Sequence, residues 1–466
     1  MQLKKGQILE FDVHALAFGG AGLGKHEGLT IFVEKTMPGD RVRAALTKIK
    51  NNFCEARLVE VVKPSPDRIK ARCPYFGVCG GCQLQFMPYE KQLQLKKQQV
   101  IDAFERIGKI YNPPVEEILG SGDVYYYRNK MEFSFGYDEK MQFALGLHVP
   151  ERRFDILDLK ECFLQSEFSV KLVNEIRDFV IEKGWKPAHV MWNEGLLKAL
   201  FVRESRRTGE VMINITTSEE IPENFEKDFE ELVEKILEVK NGEKNQSKKV
   251  VSIYWSKIIN RGGEPKQIKE KLFYGKQVIS EKMLLENGDE LVFDILPQAF
   301  FQVNTLQAEI LYSQVLKFAL QKSHKMVFDL FCGTGTIGLF LAKHVGQVLG
   351  IELNKQAIKS ARENARKNKI FNIDFFTGDV GKVLNNVREQ PSLIVIDPPR
   401  AGLTEKTIQK INDFGANEII YVSCNPATLA RDSAWLAEYG YKIQKIQPVD
   451  MFPHTFHIEC VCYFAR

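Results

Sequence analysis

From about Phe300 onward the chain alternates short apolar runs with helical stretches, and this alternation limits the possible folds more than any other feature. A helical stretch at Lys355 to Lys367 lies between two of these runs. Short strands joined by helices predict a doubly wound parallel sheet, whose ligand site lies beyond the carboxyl ends of its strands. The predicted strands are Met326 to Leu330, Val348 to Ile351, Ile373 to Phe376, Leu393 to Ile396 and Glu418 to Val422.

Residues 1–62 have a different pattern, in which short β-rich runs are broken by turns that contain glycine or proline. This pattern predicts a small five-stranded β-barrel of the OB type, followed by a linker at Lys63 to Pro66. Barrels of this kind often bind RNA, but many are plain interaction modules, so the pattern leaves both roles open. The predicted strands are Ile8 to Val13, Leu29 to Val33, Arg41 to Thr47 and Glu55 to Val62, with turns at Gly19 to Gly24 and Pro38 to Asp40.

Between the barrel and the parallel sheet, residues 63–298 form a predicted central domain of mixed α+β type. Apolar spacing predicts a helix from Tyr89 to Gly108, and alternation predicts a strand from Arg128 to Phe135. Lys240 to Lys249 is polar throughout and predicts an exposed connection. The remaining residues, 299–466, form the predicted Rossmann-like α/β domain, so the whole chain belongs to the α/β class.

Charge and cysteine content limit the kinds of partner and of cysteine chemistry that the chain can have. The 64 Lys and Arg residues against 60 Asp and Glu leave a formal charge of +4, so any nucleic-acid site must be a local basic surface. The chain has no apolar run of the roughly 18 residues that span a bilayer, so we expect a soluble cytoplasmic protein without membrane contact. Nine cysteines, an odd number in a long chain, favour reduced thiols, metal ligands or catalysis over disulfides.

A glycine-rich segment, Phe328 to Gly338, joins a predicted strand to a predicted helix. Gly333 and Gly335 let the backbone turn sharply and approach a ligand without a side chain in the way. Glu352 follows about 20 residues later at the end of the next strand, where a carboxylate can accept hydrogen bonds from ribose hydroxyls. The pattern indicates an adenosine-containing cofactor, but it does not distinguish a nicotinamide dinucleotide from other cofactors that contain adenosine. A glycine turn that only packs a helix on a strand is the structural alternative.

Residues at the ends of two later strands help to distinguish these kinds of cofactor site. Asp397 begins a proline-stiffened turn that ends at Arg400 and can present a carboxylate and backbone carbonyls to a flat ring. Cys424 follows the next strand within Ser423 to Pro426, which places a thiol at the mouth of the same cleft. Hydride transfer has no use for this thiol. A capping aspartate and a packed buried thiol are the structural alternatives for these two residues.

Four longer segments extend these motifs, and they are Phe300 to Asn304, Asp397 to Gly402, Ser423 to Asp432 and Pro453 to Glu459. Together they resemble the RNA uracil-5-methyltransferase family, and the match runs along nearly the whole chain. The barrel over 1–62 is similar to that family's TRAM domain. The resemblance implies S-adenosylmethionine as cofactor, RNA as substrate, and packing of the Tyr89 to Gly108 helix with the catalytic domain.

The resemblance also implies roles for single residues, with Cys424 as the nucleophile and Glu459 as the base. Carbon 5 of uracil is a poor nucleophile because the ring is electron-poor, and addition of a thiolate to carbon 6 activates carbon 5. A base must then remove the carbon 5 proton before the thiol is expelled. The expected cofactor contacts are Gln302, Phe331, Gly333, Gly335, Glu352, Asp397 and, at a more variable position, Asp379.

A separate set of cysteines comprises Cys73, Cys79 and Cys82, in a C-x5-C-x2-C pattern, and the distant Cys162. Three close thiolates and one distant thiolate suit either a tetrahedral zinc ion or a [4Fe-4S] cluster, and the spacing leaves both open. The ribosomal RNA members of the family resembled here carry a [4Fe-4S] cluster at matching positions. The resemblance therefore implies an iron-sulfur cluster with a structural or RNA-positioning role.

The target carbon lies in a ring that is normally stacked, so the expected substrate is single-stranded, looped or remodelled RNA whose base turns into the pocket. Barrel and cysteines together are more similar to the 23S ribosomal RNA enzymes than to the bacterial transfer RNA enzyme, which favours 23S rRNA over tRNA. We expect a monomer. A nicotinamide-dependent dehydrogenase and a non-catalytic RNA-binding protein are the alternatives from other classes, and neither explains the two proline-containing turns.

Overall fold

The structure is a computed structural model that describes residues 3–150, 152–188, 195–241, 247–260 and 267–466. The polar connection predicted over Lys240 to Lys249 includes 242–246, which lie outside the described residues. Within the described ranges, no helix has both the length and the apolar character needed to cross a membrane.

The N-terminal strands are β1 Ile8–Leu16, β2 Gly22–His26, β3 Leu29–Val33, β4 Arg41–Ile49 and β5 Phe53–Lys63. They form a closed barrel in the order β1-β2-β3-β5-β4, as the sequence predicted. The predicted glycine turn is shorter than expected, because Gly22 and Gly24 belong to β2. A Cβ atom at Gly24 would lie 2.1 Å from the Phe11 ring, so glycine lets the two strands pack closely.

The predicted linker at Lys63 to Pro66 packs on the barrel. The buried carboxylate of Asp40 accepts a hydrogen bond from the Ser65 backbone N–H at 2.9 Å and pairs with Arg68 at 2.8 Å. These contacts hold the start of the next segment against the barrel wall.

The central elements are α1 Tyr89–Arg106, β6 Lys130–Tyr137, β7 Phe143–Val149, β8 Arg152–Asp158, α2 Glu167–Glu182, β9 Leu197–Glu204, β10 Glu210–Thr217, α3 Phe225–Glu238, β11 Lys249–Ile259, β12 Gln267–Gly275, β13 Ile279–Leu284 and β14 Glu290–Ile295. Seven of these strands form one sheet in the order β12-β11-β10-β9-β6-β7-β8. Helices α2 and α3 bury apolar side chains such as Phe168 and Phe229 against this sheet. The strand predicted at Arg128 to Phe135 is β6, two residues further along.

The C-terminal elements are α4 Thr305–Ala319, β15 Met326–Leu330, α5 Thr336–Ala342, β16 Gln347–Glu352, α6 Lys355–Lys367, β17 Ile373–Thr377, α7 Val380–Val383, a 3₁₀ turn Leu384–Asn386, β18 Leu393–Ile396, α8 Glu405–Asp413, β19 Glu418–Ser423, α9 Pro426–Glu438, β20 Lys442–Val449 and β21 Glu459–Ala465. The sheet order is β17-β16-β15-β18-β19-β21-β20. The first five strands are parallel and β21 is antiparallel to both of its neighbours. This arrangement confirms the predicted Rossmann-like α/β sheet.

Helices cover both faces of this sheet. One face packs against α4, α5 and α6 together with the β13–β14 hairpin. The other face packs against α1, α8 and α9. Alternate strand residues enter the two cores, so Val327 lies in one core and Phe328 in the other.

Helix α1 joins the barrel to the C-terminal sheet although it precedes the central sheet in sequence. Val100 and Phe104 are fully buried in the core that contains α9. Gln99 donates to the Leu16 carbonyl of the barrel at 3.2 Å. The helix ends at Arg106, and a Cβ atom at Gly108 would lie 2.8 Å from the Ala430 carbonyl. Glycine at this position therefore lets the chain pass close to α9.

The connection between β20 and β21, residues 450–458, is held by several parts of the chain. Lys96 of α1 forms an ion pair with Asp450 at 2.7 Å, and both side chains are almost fully buried. The Asp450 carboxylate also accepts a hydrogen bond from the Tyr89 hydroxyl at 2.8 Å. Asn304 at the start of α4 donates to the Met451 carbonyl at 3.0 Å. We call this segment the anchored connection.

Tyr127 and the cysteine-rich segment also hold the anchored connection in place. The Tyr127 hydroxyl donates to the Pro453 carbonyl at 3.0 Å. The His454 carbonyl accepts from the backbone N–H groups of Gln83 and Leu84 at 2.8 and 2.9 Å. These bonds link the segment that carries Cys82 directly to the segment that leads into β21.

Replacing one partner of the buried pair should cost more than replacing a surface charge. Lys96→Met leaves the Asp450 carboxylate buried without its cation, and we expect a loss of about 3–5 kcal/mol in the free energy of unfolding. Arg43→Met is the matched control, because the Arg43–Glu60 pair at 2.9 Å is exposed, and it should cost less than about 1 kcal/mol. Urea unfolding measures both, and equal losses would contradict the role given to the buried pair.

Candidate active site

The carboxyl ends of four neighbouring parallel strands, β16, β15, β18 and β19, lie side by side along one edge of the C-terminal sheet. In doubly wound sheets this edge is where ligands bind. We call the space between Phe331–Gly335, Glu352 and Asp397–Gly402 the cofactor cleft. Phe331–Gly335 follows β15, Asp397–Gly402 follows β18, and Glu352 is the last residue of β16.

The glycine-rich loop after β15 adopts an unusual backbone. Phe331, Gly333 and Gly335 have φ angles of 63°, 53° and 78°. A left-handed conformation is uncommon for a residue with a side chain, and its presence at Phe331 marks a backbone held by its surroundings. A Cβ atom at Gly335 would lie 2.8 Å from the Phe375 ring, whereas one at Gly333 would meet nothing within 4 Å. The loop is therefore packed on one side and open on the other.

Glu352 is tied to this loop. Its Oε2 accepts a hydrogen bond from the Gly333 backbone N–H at 3.2 Å, and its Oε1 accepts from the Asn354 N–H at 2.8 Å. A carboxylate has about four lone-pair sites, so two remain for a ligand. The side chain is half-buried at the strand end, as the sequence pattern predicted.

Asp329, inside β15, was not predicted as a site residue. It is fully buried, and its Oδ2 accepts a hydrogen bond from the Gly338 N–H at 2.9 Å. Its Oδ1 is buried without a hydrogen-bond partner among the described residues. Burial raises the pKa of Asp329 to about 8, and the carboxyls of Asp397 and Glu352 add to the rise. The free protein therefore holds this group largely protonated at neutral pH.

The two proline-containing turns are bonded to each other. The Asn425 side chain donates to the Arg400 carbonyl at 3.1 Å. In the same region, the Asp432 carboxylate accepts from the Leu403 N–H at 2.8 Å. A Cβ atom at Gly402 would lie 2.6 Å from an Asp432 oxygen, so only glycine fits this turn. Helix α9 thereby fixes the loop that follows Asp397.

Cys424 and Glu459 are brought together by strand pairing. In the antiparallel pair β19–β21, Ser423 lies opposite Cys460. Cys424 follows Ser423 and Glu459 precedes Cys460, so the next pair in this register is Cys424 with Glu459. Cys424 is half-buried, and Glu459 is buried. Residues 35 positions apart in sequence thus become neighbours at the mouth of the cleft.

The environment holds both groups in their neutral forms. Burial raises the pKa of the Cys424 thiol to about 11, and the carboxyls of Glu459 and Asp397 add to the rise while Arg400 opposes it. Burial raises the pKa of Glu459 to about 8, again with Asp397 adding and Arg400 opposing. Burial also raises the pKa of Asp397 to about 7. At a pH below these pKa values the groups are mostly protonated, so the cluster carries less negative charge than a thiolate and two carboxylates would.

The remaining predicted cofactor contacts lie at different distances from this pair. Gln302 lies close enough to the buried phenol of Tyr312 on α4 to lower its pKa, and the charges of Asp397 and Glu459 raise the pKa of the same phenol. Gln302 and Glu459 therefore lie near one side chain, Tyr312. Asp379 is exposed beyond β17 and accepts a hydrogen bond from the Lys382 N–H at 3.1 Å, as the cap of α7. Tyr312 was missed by the sequence analysis, because α4 is buried over most of its surface and one tyrosine there carries no motif.

The four early cysteines meet around one pocket. Cys73, Cys79, Cys82 and Cys162 all line it, although Cys162 is distant in sequence. All four are free cysteines, and burial raises the pKa of each, to about 11 for Cys79 and about 12 for Cys82. In the part of the chain that the structure describes, no group of three or more His, Cys, Asp or Glu is arranged to hold a metal ion.

The chain is similar to known proteins along nearly its whole length. The family model described as tRNA (uracil-5-)-methyltransferase matches residues 88–466, and a TRAM domain model matches residues 2–59. Two relatives named as uncharacterized RNA methyltransferases are each 37% identical. The relative from Clostridium tetani matches over 100% of this chain and 99% of its own length, and the one from Chlorobaculum tepidum over 100% and 98%.

A solved structure is also similar over the full chain. It is the tRNA (uracil-54, C5)-methyltransferase of Pyrococcus abyssi in complex with S-adenosyl-L-homocysteine, which is 26% identical with a TM-score of 0.75. The similarity covers 98% of this chain and 100% of that one. The described fold therefore matches one known architecture over nearly its whole length.

Proposed function

Because the chain belongs to the tRNA (uracil-5-)-methyltransferase family, we propose that it transfers a methyl group from S-adenosylmethionine to carbon 5 of a uridine in RNA. The observation that carries the proposal is the strand register that sets Cys424 beside Glu459 at the mouth of the cofactor cleft. A thiol and a carboxyl are the two groups that this reaction needs. Neither a dehydrogenase nor a passive RNA-binding protein requires both.

The cleft fits S-adenosylmethionine. Beyond Gly333 there is open space, and one buried oxygen of Asp329 has no partner in the described chain. Glu352 keeps lone pairs that suit ribose hydroxyls. The cofactor, when bound, supplies an activated methyl group. The residues proposed to hold it are Gln302, Phe331, Gly333, Gly335, Glu352, Asp397 and, at the exposed edge, Asp379.

The proposed mechanism uses Cys424 first and Glu459 last. Cys424 gives its thiol proton to solvent and the thiolate adds to carbon 6 of the uracil, so that the electron pair of the carbon 5–carbon 6 double bond makes carbon 5 nucleophilic and carbon 5 takes the methyl group. Glu459 then takes the carbon 5 proton. The electron pair of that bond restores the double bond, and the carbon–sulfur bond breaks with its electrons on sulfur. Arg400, beside both groups, favours their charged forms.

The proposed substrate is 23S ribosomal RNA, supported by the resemblance of barrel and cysteine set together to the 23S enzymes. The barrel is proposed to supply part of the RNA-binding surface, and it lies beside the anchored connection, where Phe18 of its first loop contacts Phe456 with ring centroids 6.0 Å apart. Transfer RNA is the second candidate. It is favoured by the description of the family model and by the solved Pyrococcus abyssi enzyme.

We further propose that the four early cysteines hold a [4Fe-4S] cluster. Four thiols around one pocket are the donor set that such clusters use. No step of methyl transfer needs an electron, so the cluster would act on structure. The bonds from Gln83 and Leu84 to His454 give it a short path to the anchored connection.

Two substitutions separate the nucleophile from the base. Cys424→Ala should lower product formation to background and form no covalent RNA complex, because thiolate attack comes first. Glu459→Gln should still attack and methylate the ring, but it should lower turnover by about 10²–10⁴-fold, because elimination waits for proton removal. A protein–RNA band that survives denaturation should accumulate with Glu459→Gln only.

Cys460→Ala is the matched control for the thiol, since this neighbouring cysteine is fully buried in β21. It should keep turnover within about an order of magnitude, because it removes packing rather than a reactive group. Turnover retained by Cys424→Ala, with no band in either variant, would rule out the covalent mechanism.

Protein purified without oxygen should contain about four iron and four sulfide per chain. Cys162→Ala should lose both although it is distant in sequence, whereas Cys54→Ala, in the barrel core, should keep them. Elemental analysis and sulfide assay measure this. Stoichiometric zinc without sulfide would defeat the iron-sulfur proposal.

A further inference from the structure

Four carboxyl groups lie along the cleft edge of the C-terminal sheet, each within or directly after a different strand. Asp329 lies in β15, Glu352 ends β16, Asp397 follows β18, and Glu459 begins β21. They are close enough to act on one another. Burial raises the pKa values of Asp329 and Glu459, and the Asp397 carboxyl raises both further.

Positive charge is scarce around this cluster. Arg400 acts on Glu459 and Cys424 from the rim. Among the described residues, no basic side chain contributes to the pKa shift of Asp329 or Asp397. The other titratable groups that face the carboxyls are weak acids, namely Tyr312 from α4, Cys332 from the glycine-rich loop and Cys424 from the end of β19.

One buried oxygen of the cluster lacks a hydrogen-bond partner among the described residues. Asp329 is fully buried, its Oδ2 is bonded to Gly338, and its Oδ1 has no partner in the described chain. Buried polar atoms are almost always paired. A group that carries positive charge would satisfy this oxygen and compensate the neighbouring carboxyls.

In the free protein, bound protons neutralise these carboxyl groups in place of a cation. Burial raises the pKa of Asp329 and Glu459 to about 8 and that of Asp397 to about 7. Near pH 7, Asp329 and Glu459 are therefore mostly protonated and Asp397 is about half protonated. A cation that enters the cleft favours their ionised forms, so its binding must release protons.

We propose that the positively charged cofactor displaces protons from this carboxyl cluster, so that Glu459 is ionised while the cofactor is bound and takes up a proton when the positive charge is lost. The inference rests on the proposed function, in which the sulfonium of S-adenosylmethionine becomes a neutral thioether. The charge disappears as the bond between sulfur and the methyl carbon breaks. Glu459 must accept the carbon 5 proton in the next step, so its proton affinity rises when the reaction needs it.

Proton release on ligand binding tests this without RNA or turnover. Calorimetric titration of the full chain in buffers of different ionisation enthalpy gives the number of protons released per ligand. At pH 7.0 we expect roughly one proton for S-adenosylmethionine and less than about half a proton for S-adenosylhomocysteine. Sinefungin, which carries an amine near the position of the sulfonium, should behave like S-adenosylmethionine. The Kd of S-adenosylmethionine should fall up to about tenfold between pH 6.5 and 7.5.

Three variants locate the protons. Asp329→Asn keeps an oxygen that can accept from the Gly338 N–H but cannot ionise, and Glu459→Gln removes the base. Each should reduce the proton release with S-adenosylmethionine by roughly a third or more. Glu418→Gln is the control, because Glu418 is a buried carboxyl at the opposite, amino end of β19, and its release should equal that of the unmodified protein.

The outcomes distinguish this inference from the proposed function. Equal proton release with S-adenosylmethionine and S-adenosylhomocysteine would overturn the inference, and so would unchanged release in both Asp329→Asn and Glu459→Gln. In either case the cofactor assignment would stand, because both ligands bind. If neither ligand binds, the proposed function fails together with the inference.

Discussion

The buried ion pair between Lys96 and Asp450 fixes the anchored connection, which leads into Glu459 and is bonded to the cysteine-rich segment. Two charges removed from water are stable only when they are paired and hydrogen-bonded, so the pair holds α1 and the anchored connection in one arrangement. That connection runs directly into Glu459, and its His454 carbonyl accepts hydrogen bonds from the residues that follow Cys82. The cysteine pocket and the reactive pair therefore share one short stretch of backbone.

The second constraint is the low charge of the reactive groups in the free protein. Burial raises the pKa of Cys424 to about 11 and of Glu459 to about 8, so the thiol and the carboxyl rest in their neutral forms. Neutral groups avoid the free-energy cost of burying an unpaired charge. In the proposed mechanism both groups must ionise, and among the described residues Arg400 is a cation that favours their charged forms. Binding and activation are in this way coupled by electrostatics.

Local sequence pattern predicted the parts of the fold that depend on local physics. The parallel strands and helix α6 were placed within a residue or two, because apolar runs and helical spacing are intrinsic to each segment. Strand β2 was missed, because its glycines are explained only by the distant Phe11 ring. Asp329 and Tyr312 were missed for a similar reason, since no motif distinguishes a buried polar residue that faces a cleft from one that fills a core. The pairing of Cys424 with Glu459 depends on the antiparallel strand β21, which brings together residues 35 positions apart in sequence.

The central claim, methylation of a uridine at carbon 5 in RNA, is tested most directly by mapping 5-methyluridine across total RNA. The comparison is between cells with the gene, cells without it, and cells that carry the Cys424→Ala variant. We predict that one or more 5-methyluridine sites in 23S rRNA disappear without the gene and return with the unmodified protein but not with the variant. Loss confined to tRNA would keep the chemistry and change the substrate. An identical 5-methyluridine map in all three strains would contradict the account.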